Sequence, residues 1–423
     1  MARLLSNPRG QKDRRQDVVA LAFHPNGRWL GTGSLVHRTA GNARGDGVRI
    51  WDLARGREVA RLSTAPTNGI LFEKGGEGLL TFDSDRLRRW PITPGEAGGA
   101  PVVSFGPPRT LLRIATPEGK ARIVPWGPNP GRIALTEELT AVYLLELSPA
   151  PRVVRSWQTP TASFVASSPD GRWVATGSYE GPGFQVWDTT THTLGRLWKG
   201  GDAVVAFSPD GRWLVSASGA NGFNPAECVF WKVGTWERGH GFPLDRTSSP
   251  AQLSFSPDGR ILAVERSMNE ISLVDATDAA EIVRLRPTKG TILGNLRFSP
   301  DGGLLAAGTC EGTVLLWDLR KIREGLREMN LDWSISTAGL VPAPAGPEPP
   351  PVRVVLDEES LLARASYSLE TMDYRRAVAD LEALLKTRPG HEEARRLLAE
   401  VFSKGPVALR DNDRAARPAR GDR

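Results

Sequence analysis

Cysteine is nearly missing from this chain of 423 residues: there are two, Cys228 and Cys310, and no CxxC pair. That excludes a disulfide-stapled secreted scaffold and fits a reducing, cytoplasmic setting, with both thiols acting as small buried hydrophobes. Histidine is also scarce, at five scattered positions (24, 37, 192, 240, 391), and neither HxH nor HExxH occurs, so no metal site is expected. No run of eighteen apolar residues exists, and the opening MARLLSNPRGQKDRR has no apolar core. Neither a membrane span nor a secretion signal is therefore expected. Catalytic signatures are lacking too: there is no G-x-S-x-G elbow, no P-loop, and no G-x-G-x-x-G leading into a helix. Catalytic residues and cofactors are accordingly expected to be none.

Charge is unevenly placed. The formal net charge is +6, yet residues 1–17 carry five basic against two acidic side chains, and residues 406–423 carry five Arg against three Asp. Most of the excess therefore sits in the terminal segments. A nucleic-acid reader concentrates positive charge on a structured face with aromatics set for stacking, so no specific nucleic-acid partner is expected.

What the sequence does contain is a repeat. Phe164 to Asp188 (FVASSPDGRWVATGSYEGPGFQVWD) has a short apolar run, a turn at Ser168-Pro169-Asp170-Gly171, a second run, a Gly/Pro loop, and a third run ending in Trp187-Asp188. Pro presets φ for a tight turn, Asp bonds back to its own backbone, and Gly supplies positive φ. The turn recurs at Pro25-Asn26-Gly27, Pro209-Asp210-Gly211, Pro257-Asp258-Gly259 and Pro300-Asp301-Gly302. Steps between the turn glycines after Gly171 are 40, 48 and 43 residues, and the step from Gly27 to Gly171 is 144, or three periods of 48. Two degenerate copies fill that gap, Ile70 to Trp90 with its turn at Lys74-Gly75-Gly76, and Arg122 to Leu147 with Asn129-Pro130-Gly131. Seven copies result.

A period of about 40–45 residues with strand-turn-strand content and a terminal Trp-Asp marks four-stranded propeller blades. Trp-Asp stands at Trp51-Asp52, Trp187-Asp188 and Trp317-Asp318, and decays to Trp90-Pro91, Trp231-Lys232 and Val274-Asp275. On these residues the stretch Val18 to Leu319 resembles the WD40 repeat family. The Gly-His that normally opens each repeat is missing, except for Gly239-His240. The resemblance is thus to divergent bacterial members, and the family's His-Asp network is expected to be absent or altered. Eight Trp at repeat positions (29, 51, 90, 173, 187, 213, 231, 317) are expected to pack blade on blade.

The expected fold is an all-β seven-bladed propeller followed by a small α-helical, tetratricopeptide-like segment. The propeller covers residues 1–320, with Arg3-Leu4-Leu5-Ser6 as a strand closing the last blade. A short helix covers 321–336, where apolar residues at 322, 326 and 329 keep helical spacing. A Pro-rich spacer covers 337–356, helices cover 357–405, and a basic disordered tail covers 406–423. Leu361, Ala365, Ala377, Leu381, Leu384 and Pro389 fall at the positions of a 34-residue tetratricopeptide repeat.

Loops on a scaffold are where binding resides. His37, Arg38, Arg44, Tyr179, Phe223 and Asn224 are the candidate partner contacts, the competing reading being unselected insertions. The resemblance implies a non-catalytic protein-protein interaction scaffold with other proteins as partners. It extends to bacterial WD40 regions that in some chains follow a Ser/Thr protein kinase domain, although no kinase motif stands here. The alternative is a propeller enzyme or small-ligand binder with a site at the central channel.

Overall fold

Each Ser-Pro-Asp-Gly turn is locked by its own side chains. At the fourth copy, the Ser168 hydroxyl donates to Asp170 and accepts the Trp173 amide at 2.9 Å, while the Arg172 amide donates to Asp170 at 3.0 Å. Gly171 takes φ +76°, which a Cβ would oppose. The same set recurs at Ser208, Ser256 and Ser299. Every such turn folds two strands back on each other, and a third strand follows.

A computed structural model describes all residues except 1, 6–15, 37–43, 63–66, 84, 115–120, 138–139, 160–161, 180–182, 200, 221–224, 246–250, 288–290, 332–349, 371 and 406–423. Strand β1 is Ala2–Leu5. Blade one is β2 (Gln16–Phe23), β3 (Trp29–Val36), β4 (Arg44–Asp52) and β5 (Arg57–Arg61). Blade two holds β6 (Thr67–Phe72), β7 (Gly78–Asp83), β8 (Arg86–Ala97), β9 (Ala100–Phe105) and β10 (Arg109–Arg113). Blade three is β11 (Ala121–Pro125), β12 (Arg132–Glu137), β13 (Ala141–Glu146) and β14 (Arg152–Gln158). Blade four is β15 (Phe164–Ser167), β16 (Trp173–Gly177), β17 (Phe184–Asp188) and β18 (Thr193–Trp198). Blade five is β19 (Ala203–Phe207), β20 (Trp213–Ser218), β21 (Glu227–Lys232) and β22 (Arg238–Pro243). Blade six is β23 (Leu253–Phe255), β24 (Ile261–Ser267), β25 (Glu270–Asp275) and β26 (Glu281–Leu285). Blade seven has only β27 (Leu293–Phe298), β28 (Leu304–Thr309) and β29 (Val314–Asp318) from its own stretch, and β1 completes it beside β29. The fold is a seven-bladed β-propeller with helices after it.

Helix α1 (Leu319–Glu328) follows blade seven without a break, because the Asp318 carboxylate accepts the Arg320 and Lys321 amides and caps it. The helix ends at Glu328 with Met329 as its C-cap, and residues 332–336 of the expected span 321–336 lie outside the described residues. Further on come β30 (Val352–Val354), α2 (Glu358–Glu370), α3 (Tyr374–Thr387, capped by Asp373) and α4 (Glu392–Lys404).

The spacer over 337–356 is corrected at its end. Val352, Arg353 and Val354 pair in parallel with Val103, Ser104 and Phe105 of β9. Pro350-Pro351 does not prevent this, since Pro lacks only the donor: Pro351 O accepts the Val103 amide at 3.0 Å.

The core lies in the seams between blades. Trp51 is buried with Leu5, Leu316 and Val18 between blades seven and one, and Trp90 with Trp29 and Phe105 between blades one and two. Three third-strand Trp residues also bond inside their own blades: Trp51, Trp90 and Trp231 Nε1 donate to Thr32, Thr81 and Ser216 hydroxyls at 3.1, 3.0 and 2.9 Å.

The turn aspartates make stability depend on acid. Burial works to raise Asp210 and Asp301, but hydrogen bonds from Ser208, Arg212, Ser299 and the Gly303 amide, with Arg320 beside Asp301, outweigh it and hold both carboxyls below the usual range. Asp188 is likewise held down, by the Thr190 hydroxyl and the Thr190 and Thr191 amides, against its partial burial. A depressed folded value adds stability above the unfolded value, and that stability drains as pH falls through the folded one. We expect the melting temperature to hold from pH 7 to about 4.5 and to fall steeply below about pH 4. A melting curve unchanged down to pH 2.5 would contradict this.

Candidate functional site

Four of the six loop candidates, His37, Arg38, Phe223 and Asn224, lie outside the described residues. Arg44 opens β4 opposite Val36. Tyr179 is half-buried, its ring 4.6 Å from that of Phe164, and it packs on the apolar cluster that includes Val204 and Val215. It serves the seam of blades four and five, whereas Arg44 belongs to blade one; the two do not converge on one site.

The seven inner strands enclose a central cavity of about 360 Å³. Among the described residues lining it there is no Asp, Glu, His, Cys, Lys or Tyr; its ionisable groups are Arg122 and Arg297. Arg122 opens its strand after Ala121 in blade three, yet its Nη1 donates to Asn295 Oδ1 of blade seven at 3.2 Å. Its guanidinium also lies 4.5 Å from the centroid of the Phe164 ring in blade four. Asn295 reaches this position through an irregularity in β27, where it takes φ +34°, and its Nδ2 donates to Val19 O of blade one at 2.5 Å. One polar chain thus ties blades three, seven and one across the lumen. Arg297 is exposed to the channel. Loss of bulk solvent, and secondarily Arg122, shift its pKa down. What it holds is fixed positive charge.

A second built region joins the helices to blade two. Arg86 Nη1 pairs with Glu359, Arg88 Nη2 lies 3.8 Å from Glu359, and Arg88 Nη1 donates to Ser360 Oγ at 3.1 Å. Behind them Asp83 is buried, 3.6 Å from the Nε of both Arg86 and Arg88; burial pushes its carboxyl up against the pull of those cations. Sequence reasoning missed this junction. Its available signal was the surplus of chain between Trp90 and Arg122, which becomes β9 and β10, with arginines at 86, 88 and 89. A groove of about 560 Å³ lies between Arg57 and Glu58 of blade one, Pro101 of β9 and Pro351 just before β30. Glu359→Gln is expected to cost under about 1 kcal/mol, because its side chain is 54 % exposed and water screens the pair. The Val355 amide, which donates to Phe105 O at 2.8 Å, is expected to keep its hydrogen-exchange protection in that variant. Loss of that protection would show that the ion pair, and not β30, holds the junction.

No group of His, Cys, Asp and Glu among the described residues is arranged to hold a metal, and no described helix is long and apolar enough to cross a membrane. The family model described as WD domain, G-beta repeat matches residues 7–52, 203–222 and 287–318. The chain is similar to U3 small nucleolar RNA-associated protein 18 of Saccharomyces cerevisiae, 39% identical over 77 residues, 17% of this chain and 13% of that protein. It is similar to human DDB1- and CUL4-associated factor 10, 31% identical over 99 residues, 23% of this chain and 16% of the relative. The matches span less than a fifth of these relatives' lengths. Among solved structures it resembles Chaetomium thermophilum Sqt1 bound to the N-terminus of the ribosomal protein L10. The TM-score is 0.52 at 19% identity, covering 72% of this chain and 98% of that one. At that identity the likeness is one of fold.

Proposed function

We propose that this seven-bladed propeller is a non-catalytic scaffold that binds other proteins. The observation that carries it is the junction: β30 and the Arg86, Arg88, Glu359 and Ser360 contacts hold the C-terminal helices against blade two, so that two surfaces of different chemistry keep one relative position. The relatives' names point the same way: one is a factor associated with DDB1 and CUL4, and the solved relative is bound to the N-terminus of a ribosomal protein.

The helices act in this reading as one tetratricopeptide-like unit. Ala365, Ala377, Leu381 and Leu384 are buried together with Ala394, Leu397 and Val401 of the following helix, and Leu361 packs against them. The loop residues His37, Arg38, Arg44, Tyr179, Phe223 and Asn224 contribute partner contacts. The cytoplasmic, kinase-linked bacterial setting belongs to the same proposal. The cytoplasmic part rests on the unpaired Cys228 and Cys310, the bacterial part on the missing Gly-His, and the kinase link on the family resemblance, while the curated relatives are eukaryotic.

The test is quantitative affinity purification of the full chain from its native cells, beside a His37→Ala/Arg38→Ala variant and a Phe223→Ala/Asn224→Ala variant. A reproducible partner that at least one loop variant loses supports the scaffold. No partner above background would refute it.

A further inference from the structure

We propose that the central channel is a binding site for a small oxyanion, a phosphate- or polycarboxylate-bearing metabolite gripped between Arg122 and Arg297.

The argument begins with charge balance. Enclosing a cation is costly unless a carboxylate or another anion pairs with it. Many arginines elsewhere in this chain meet carboxylates, as Arg89 with Glu73 at 2.6 Å and Arg364 with Asp380. The two channel arginines differ. No carboxylate lines their cavity among the described residues, and Arg297 makes no ion pair or hydrogen bond with any described residue. Both guanidinium-bearing residues line the same cavity. A pair of guanidiniums facing one enclosed space with no anion is the arrangement that a bound oxyanion completes.

Placement supports it. Counting back from the residue that closes the inner turn, Arg297 stands two before Ser299. The matching positions in the other six blades are Ala22, Leu71, Val124, Ala166, Ala206 and Ser254. None of these carries charge, so the cation belongs to blade seven alone and not to the repeat. Arg122 is held ready: Asn295 fixes one edge of its guanidinium and Phe164 covers a face, leaving other N–H groups unclaimed. A cavity of about 360 Å³ holds a small metabolite and excludes a folded partner.

The test uses the full chain with pyrophosphate and citrate as probes, in titration calorimetry and thermal melts at constant ionic strength set by chloride. The expected result is saturable binding of at least one probe at one site per chain, with a rise in melting temperature. Arg297→Gln and Arg122→Gln should each weaken binding at least about tenfold. Both variants are melted without probe to establish that they fold, and Arg122→Lys, which keeps charge but loses the fork, should bind between wild type and Arg122→Gln. Preference for pyrophosphate over citrate assigns a phosphate ligand, and the reverse assigns a polycarboxylate. Absence of saturable binding by either probe overturns the proposal, as does unchanged affinity in folded Arg297→Gln. Neither result bears on protein partners at the loops.

Discussion

Replacing Gly177 with alanine is expected to cost about 3 kcal/mol, although it adds a single methyl group in a strand. Gly177 ends β16, and a Cβ built there would lie 2.1 Å from Ala203 O, a backbone atom in the first residue of the next blade's inner strand. A carbonyl in a hydrogen-bonded strand cannot swing aside as a side chain can, so blades four and five must separate along their seam. Gly33 and Gly308 stand in the same relation, 2.3 Å from Thr67 O and 2.7 Å from Val18 O, at the seams of blades one with two and seven with one. The requirement is local. Blade five carries Ala217 at the matching position, fully buried, so that seam has room for the methyl. The control is Gly294→Ala in β27, where nothing lies within 4 Å of the added Cβ. There the substitution is expected to be neutral, or to stabilise by a few tenths of a kcal/mol through the unfolded chain. Urea unfolding of both variants decides the matter, and equal midpoints would remove the blade-contact explanation.

Loss of the first strand should be more damaging still. Residues 2–5 pair with β29 over the register Ala2↔Trp317 to Leu5↔Val314, and Leu5 is fully buried against Trp51, Leu316 and Ala306. Leu5→Ala alone is expected to cost about 3 kcal/mol, as for a large-to-small change in a packed core. Leu4→Ala is expected to cost under about 1 kcal/mol, since Leu4 is 54% exposed on the other side of the same strand. Deleting residues 1–5 removes the anchor and also bares the β29 edge, a template for pairing with other chains. The truncated protein should melt well below the intact one and associate with rising concentration in light scattering. An unchanged melting temperature would mean that the ring closes without this strand.

Much of this architecture is legible in the chain. Four Ser-Pro-Asp-Gly turns mark the joints between first and second strands, because the Ser, Asp and Gly chemistry that makes the turn is local and needs nothing from distant residues. The helices α3 and α4 are bracketed by equally local signals, Asp373 before the first and Pro389-Gly390 after it. Blade two was harder to read. Its Lys74-Gly75-Gly76 turn stands out, but the surplus hairpin and the returning β30 depend on a partner strand some 250 residues away in sequence, which no local pattern encodes. The loop candidates fared differently again. Tyr179 looks like a presented aromatic in a Gly-rich loop, and only the packing of Phe164 beneath it reveals that it faces a seam.

The sequence by itself determined the number of blades, the turns between their inner strands and the presence of helices after them, since each follows from short-range chemistry repeated at a fixed period. Only the tertiary structure decided which glycines must stay glycine, where the C-terminal helices sit, and that Arg122 and Arg297 share one lumen. Those outcomes rest on closure of the ring, which brings Arg122 of blade three to Asn295 of blade seven across 173 residues of chain.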